Sequence, residues 1–245
     1  MKEILEKRIN KGKIGIWWIG QGGFIFKDHN GKIVIIDPYL SNIVEKKHGL
    51  KRMFEIPYKP EDVKADIILC THDDLDHADP ETIRKMKDIK VYIGPRSVCK
   101  IYKECGISEN KIYEIKRGGE KLFFGIKIIA TFSKHKEDSV GYVLIFDNIK
   151  IYITGDTEFD EKLFEVKKFN PDIMFVCING KWGNMNYKEA VKLTKEIKPK
   201  IVIPMHYGMF KENTVDPNLF IEEMKKEKVD VERKIIEFNR FFVWR

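Results

Sequence analysis

The stretch His72-Asp73-Asp74-Leu75-Asp76-His77 packs two of the chain's six histidines and three aspartates into six positions. It follows directly on residues 65–70, a continuous apolar run that reads as a strand buried on both faces. It precedes Asp79-Pro80-Glu81, which opens a helix with an N-cap, a proline at the first helical position and an acid in the first turn. The carboxyl end of a buried strand is where α/β proteins collect ligand-binding groups. Two imidazoles and several carboxylates in one turn lose hydration and repel one another unless a cation joins them; with a cation they form a metal site. The plainer alternative is a polar loop whose aspartates cap the next helix, but Asp79 already fills that role.

Three residues farther along share that placement. His135 lies in the loop after a predicted strand at 126–131, Asp156 follows a strand at 149–154 within Thr-Gly-Asp-Thr, and His206 follows a strand at 201–204 within Pro-Met-His-Tyr-Gly. Taken singly they read as a surface histidine, a turn former and a loop residue. Taken together, each just past a strand end, they predict convergence on one edge of the sheets.

The surrounding pattern supplies those sheets. Ile14-Gly-Ile-Trp-Trp-Ile19 reads as a strand, 20–23 as a turn and 24–27 as a second strand. Asn30-Gly31 signals a hairpin, with 32–36 as the return strand. Residues 38–63 show no clear periodicity and read as a long loop over one face. Strands at 91–93, 111–115, 121–124, 126–131, 140–146, 149–154, 172–177 and 201–204 alternate with helices at 96–104, 160–169, 186–197 and from 216 onward, and further strands lie around 235 and 241. Asn186 with Glu189 three residues on makes a capping-box-like helix start. The expectation is a single α/β domain over 1–245 with two sheets covered by helices.

Composition agrees. A chain of 245 residues with 43% hydrophobic and 34% charged residues can bury a core beneath a solvated surface, which excludes a collagen, a rod or a disordered tail. No apolar run reaches the roughly 18 residues that span a bilayer. The start, Met-Lys-Glu-Ile-Leu-Glu-Lys-Arg, has no apolar signal-peptide region, so a cytoplasmic protein without a membrane partner is expected. The balance of 45 basic against 38 acidic residues, net +7, is interspersed along the chain, which disfavours nucleic acid as the main partner. Cys70, Cys99, Cys105 and Cys177 show no Cys-x-x-Cys spacing, which points to a reducing compartment rather than a disulfide framework.

The motifs together resemble the metallo-β-lactamase superfamily, with its His-x-His-x-Asp-His signature followed by a later His, a bridging Asp and a last His. The gaps of 58, 21 and 50 residues from His77 to His135, Asp156 and His206 suit that pattern. Ile16-Trp-Trp-Ile-Gly20, Ile36-Asp-Pro-Tyr-Leu40, Thr71 to Pro80, Tyr92-Ile-Gly-Pro95, Gly155-Asp-Thr157 and Val202 to Gly208 are similar to the L-ascorbate-6-phosphate lactonase (UlaG-like) branch. The resemblance implies a four-layer αββα sandwich, two mixed sheets flanked by helices, with two divalent metals at the sheet edge. His72, Asp74 and His135 would hold one, Asp76, His77 and His206 the other, with Asp156 bridging and a metal-bridging hydroxide as nucleophile.

One position departs from the family pattern, which has His where this chain has Asp74. A carboxylate oxygen is harder than an imidazole nitrogen and favours Mn or Fe over Zn. Two divalent ions, three aspartates and one hydroxide sum to zero, whereas a histidine would leave +1. An acid here is also similar to flavodiiron proteins, which carry Glu at this position with two irons, and a first site left empty is the other reading.

Candidate substrate contacts are Lys181, Trp182 and Asn184, in Asn179-Gly-Lys-Trp-Gly-Asn-Met-Asn186, with Tyr207 as either an oxyanion or leaving-group contact or a buried packing residue, and Lys134 and Lys136 flanking His135. For the lysines, a solvated surface is the plainer alternative. The resemblance implies a metal-dependent hydrolase, with Asp76 and Asp156 in catalytic roles. Its expected reaction is lactone or ester cleavage on a small, anionic, phosphorylated sugar acid, by a chain free to form homo-oligomers. The alternatives are a phosphodiesterase or ribonuclease and a di-iron redox protein.

Overall fold

In the strand Ile14–Gly20 (β1), side chains alternate between two cores: Ile14, Ile16 and Trp18 enter one, Trp17 and Ile19 the other. That alternation builds a layered molecule, seen in a computed structural model that describes residues 1–244. After a short helix at Lys2–Glu6 (α1), β1 pairs antiparallel with Gly23–Lys27 (β2), which pairs with Ile33–Ile36 (β3). Parallel strands Lys64–Leu69 (β4), Asp88–Gly94 (β5) and Ile112–Glu114 (β6) continue from β3. The strand Phe241–Trp244 (β14) closes the opposite edge beside β1.

The second sheet mirrors this plan. Glu120–Phe123 (β7), Ile126–Phe132 (β8), Val140–Phe146 (β9) and Ile149–Ile153 (β10) form an antiparallel meander. Ile173–Cys177 (β11), Ile201–Met205 (β12) and Glu232–Arg233 (β13) add on in parallel. The two seven-stranded mixed sheets press Phe24, Phe26 and Ile67 against Phe146 and Phe175, with Phe24 and Phe175 ring centroids 4.3 Å apart. Pro80–Lys85 (α3) and Arg96–Glu104 (α4) cover the outer face of the first sheet through Ile83, Val98 and Tyr102. Tyr187–Ile197 (α5) and Pro217–Lys226 (α6) cover the second through Leu193, Ile197, Phe220 and Met224. The result is the expected αββα order.

Helix starts follow the sequence closely. Asp79 accepts from the amides of Glu81 and Thr82, Asn186 and Glu189 complete a capping box, and Asp216 caps α6. Three elements differ from expectation. The stretch 38–63 contains a helix at Ile43–His48 (α2) and a 3-10 turn at Pro60–Asp62; α2 is too short to show a period, and it forms because Ile43 and Val44 bury against Tyr39, Met209 and Phe210. The helical stretch 160–169 is wound as 3-10 over Glu161–Phe169 and ends at Asn170 in the left-handed region. The strand around 235 is a two-residue pairing three positions earlier, at β13. Among the described residues, no helix is long and apolar enough to cross a membrane.

Candidate metal centre

All seven candidate ligands meet at one edge of the sandwich. His72 to His77 occupy the turn between β4 and α3, where the His77 and Ala78 amides both donate to the Asp74 carbonyl. His135 comes from the β8–β9 loop, Asp156 from the segment after β10, and His206 directly follows β12. His206 stands at φ +64°, as Asp37 just past β3 stands at +46°. Left-handed backbone is costly for residues other than glycine, and it persists where the surroundings over-determine it, commonly at functional sites.

Hydrogen bonds outside the centre fix how the imidazoles face inward. His77 donates from Nδ1 to Asp37 Oδ2 at 2.8 Å. Thr71 Oγ1 donates to the same carboxylate oxygen at 2.8 Å and therefore accepts from His72 Nδ1 at 2.9 Å. His135 donates from Nδ1 to the Gly183 carbonyl at 3.1 Å. Three rings thus carry their proton outside and turn a bare Nε2 lone pair inward. Glycines admit two of them: a Cβ on Gly22 would stand 2.9 Å from His77 Cε1, and one on Gly183 2.8 Å from His135 Nδ1.

What those lone pairs face is further acceptors. Asp74 Oδ2 lies 3.1 Å from His72 Nε2 and 3.0 Å from His135 Nε2. His77 Nε2 is 3.3 Å from both Asp156 Oδ1 and His206 Nε2, and His206 Nε2 is 3.0 Å from Asp156 Oδ2. Asp156 Oδ1 is buried without a hydrogen-bond partner. Ligand atoms of His72, His135 and Asp156 lie within 4.8 Å of one another, as do those of Asp76, His77 and His206. Acceptors converging at such distances in a desolvated place call for positive charge between them. The nitrogen-and-oxygen donor set fits divalent transition metals.

The acid–base character agrees. Burial disfavours a second proton on His77, but Asp156, Asp37 and Asp76 outweigh it and push the imidazole well above its usual value, so the carboxylates draw positive charge to the Nε2 side that a metal ion would take in place of a proton. Burial would likewise raise the Asp156 carboxyl, but His206 and His77 hold it well below the usual carboxylate range. Asp74 is held low against burial by His135, His72 and Lys136.

Above the centre lies a cavity of about 470 Å³. Asp74, Asp76, His135, Asp156 and His206 line it from the centre, Val44, Leu50, Leu75, Phe210 and Trp182 supply apolar lining, and His48, Asp73 and Asn213 complete it. Among the described residues, no lysine or arginine lines it. Of the expected substrate contacts, only Trp182 does. Lys181 Nζ donates instead to the Glu212 carbonyl at 2.8 Å, pinning its own loop to the neighbouring one. Asn184 spends its amide on Asp156 Oδ2 at 2.8 Å, so it supports the centre. Tyr207 is buried against Trp18, ring centroids 4.8 Å apart, away from the cavity.

Two supporting residues escaped the sequence reading. Asp37 gathers the Thr71 amide, the Thr71 hydroxyl and His77; its place in Ile36-Asp-Pro-Tyr-Leu40 was the available signal. Gln21 donates to Asp76 Oδ2 at 2.7 Å, with no local pattern marking it. Lys136, expected only as a charge beside His135, reaches Asp74 Oδ1 at 2.5 Å.

Comparison with known proteins places this geometry among relatives. The family model described as "Beta-lactamase superfamily domain" matches residues 15–206. A UPF0173 protein of Pyrococcus furiosus is 31% identical over 217 residues, covering 87% of this chain and 92% of the relative. A UPF0173 metal-dependent hydrolase of Thermodesulfovibrio yellowstonii is 31% identical over 242 residues, covering 89% and 87%. The structure of Igni18, described as a novel metallo hydrolase from Ignicoccus hospitalis, superposes with a TM-score of 0.75 at 21% identity, covering 95% of this chain and 99% of that one.

Proposed function

This chain belongs to the beta-lactamase superfamily and, at 31% identity to UPF0173 relatives, to that group within it; from that membership we propose that it is a single-domain metal-dependent hydrolase cleaving a carboxylic ester or lactone of a small molecule. The observation that carries the reading is the inward convergence of bare imidazole nitrogens and carboxylate oxygens beneath an open cavity. His72, Asp74 and His135 would hold one ion, Asp76, His77 and His206 a second, and Asp156 would serve both. Bound there, divalent ions would supply Lewis acidity toward the scissile carbonyl and a water acidified enough to react near neutral pH.

The chain's own groups do the rest. Gln21 holds Asp76 Oδ2 at the cavity lining, where the carboxylate can take the proton of the attacking water and return it to the leaving oxygen. Asn184 orients Asp156 through Oδ2. Leu75, Phe210 and Trp182 screen the reacting carbonyl from bulk water. The largely apolar walls, the Asp73 carboxylate among them and the missing lysine and arginine favour an uncharged acyl group over a phosphorylated sugar acid.

The test pairs metal analysis of untagged protein with hydrolysis of a panel of aliphatic lactones, aryl esters and phosphodiesters. About two equivalents of metal, with turnover confined to lactones and esters and abolished by chelation, is the expected result. Metal-free protein, or turnover of phosphodiesters alone, would overturn the reading.

A further inference from the structure

Asp74 is the least enclosed of the candidate ligands, with its side chain 36% exposed, and its two oxygens have separate duties. Oδ2 faces the Nε2 atoms of His72 and His135. Oδ1 points the other way, into the ammonium of Lys136 at 2.5 Å, and the same ammonium donates to Asp73 Oδ1 at 2.9 Å. The main chain holds Lys136 in place: its amide donates to Ser139 Oγ at 3.0 Å, and its carbonyl accepts from Ser139 Oγ at 3.0 Å and from Arg117 Nη2 at 3.0 Å. The lysine therefore arrives on a braced loop, one residue after His135.

A free carboxylate beside a metal can bind through one oxygen or two, and it brings a full negative charge. A lysine locked onto one oxygen removes the first freedom and reduces the second. We propose that Lys136 is a positioning residue that masks one oxygen of Asp74 and offsets part of its charge, so that Asp74 acts as a one-toothed ligand. Because the ammonium also serves Asp73, the group of Asp73, Asp74 and Lys136 carries one negative charge in place of two. The low coordination number that one-toothed ligands allow suits Zn²⁺, whereas a carboxylate offering both oxygens suits larger, harder ions such as Mn²⁺. Lys136 thus sets the metal preference of the half-site formed by His72, Asp74 and His135.

The inference rests on the metal-dependent reading, and one experiment separates the two. Wild-type protein and the Lys136→Met, Lys136→Arg, Asp74→His and Asp74→His/Lys136→Met variants are loaded from equimolar Zn²⁺ and Mn²⁺. Bound metals are counted, and the absorption spectra of the Co²⁺-substituted forms are recorded. Lys136→Met should lower the Zn:Mn ratio of one equivalent by about tenfold and weaken the Co²⁺ bands toward those of a six-coordinate ion, with the second equivalent unchanged. Lys136→Arg should keep the wild-type ratio within about threefold. In the Asp74→His background, Lys136→Met should change nothing, because there is no second oxygen to unmask. An unchanged ratio and spectrum in Lys136→Met, with wild type holding two metals, would overturn the inference alone. A ratio that falls equally in the Asp74→His background would also overturn it. Wild type that binds no metal would overturn the functional reading and the inference together.

Discussion

The two halves of the centre use the same ligand chemistry but are supported differently. His77 and His206 are essentially buried, and their half is fastened from behind: Asp37 grips His77 and Thr71 at once, and Gln21 holds Asp76. The other half reaches the surface, where Asp74 is steadied by a lysine that itself touches solvent. Buried hydrogen bonds between satisfied polar groups are strong and unscreened, while a half-exposed ion pair is weakened by water and salt. If the centre holds two ions as proposed, it should have one rigid and one adjustable position.

Asp156 stands beside both halves, and under the proposed reading removing its charge should have the largest effect. Its oxygens lie 3.3 Å from His77 Nε2 and 3.0 Å from His206 Nε2, a carboxylate oxygen lies within 4.8 Å of the ligand atoms of His72 and His135, and Asn184 orients it. In Asp156→Asn the amide nitrogen replaces a ligand oxygen and puts N–H donors where an acceptor is needed. Both metals should be lost or loosened, and kcat/KM should fall by about a thousandfold, with the fold intact by circular dichroism. A variant that keeps one tight metal would show that the halves are independent.

Asp37→Asn should act mainly on the buried half, and on His72 only through Thr71. Asp37 Oδ2 accepts from His77 Nδ1 and the Thr71 hydroxyl and Oδ1 from the Thr71 amide, so an asparagine, with one acceptor oxygen, must set its N–H₂ group against either the His77 side or the Thr71 amide. Set against His77, it drives the His77 proton to Nε2, and the ring faces the centre as a donor. One metal equivalent should weaken by about 10- to 100-fold in chelator competition, and unfolding free energy should drop by about 2 kcal/mol in urea titration. Equal weakening of both equivalents would erase the distinction between the halves.

Chelation of wild type sharpens the same contrast kinetically. Loss of metal should be biphasic, with the faster phase from the half containing Asp74. Raising salt from about 0.1 to 1 M should change that phase more than the slow one, because only the exposed pair is screened. A single phase, or salt sensitivity shared by both, would count against the comparison.

How much of this was legible from residues depends on whether the signal was local. The turn from His72 to His77, the strand before it and the Asp79 cap are contiguous, and each obeys a short-range rule. His135, Asp156 and His206 were legible only through their shared place past strand ends. Gln21, Asp37 and Lys136 act across 55, 40 and 62 residues of chain respectively, on Asp76, His77 and Asp74, through contacts that no periodicity announces. The same reason explains Lys181, Asn184 and Tyr207. Their residue types suit substrate binding, but their neighbours in space claimed the polar atoms or buried the ring. Helix α2 was hidden because six residues are too few for a period and its stability comes from Phe210 and Met209, far along the chain.

Trp182 offers the mildest perturbation, because it belongs to the cavity and not to either half. Its side chain is 57% exposed and its backbone sits at φ +52°, so the indole supports no core and is held out over the opening. Phe210 and Leu75, which also line the cavity, are packed into an apolar cluster, which leaves Trp182 as the lining side chain most free to close over an acyl chain. Covering about 40 Å² of apolar substrate surface with that ring is worth about 1 kcal/mol. Trp182→Ala should therefore raise KM by about fivefold for a medium-chain ester, leave kcat and both metal equivalents unchanged, and not lower Tm. A short acetate ester, which does not reach the indole, should show no change in KM. If both esters lose affinity equally, the ring acts on the centre and the cavity is no longer separable from the exposed half beneath it.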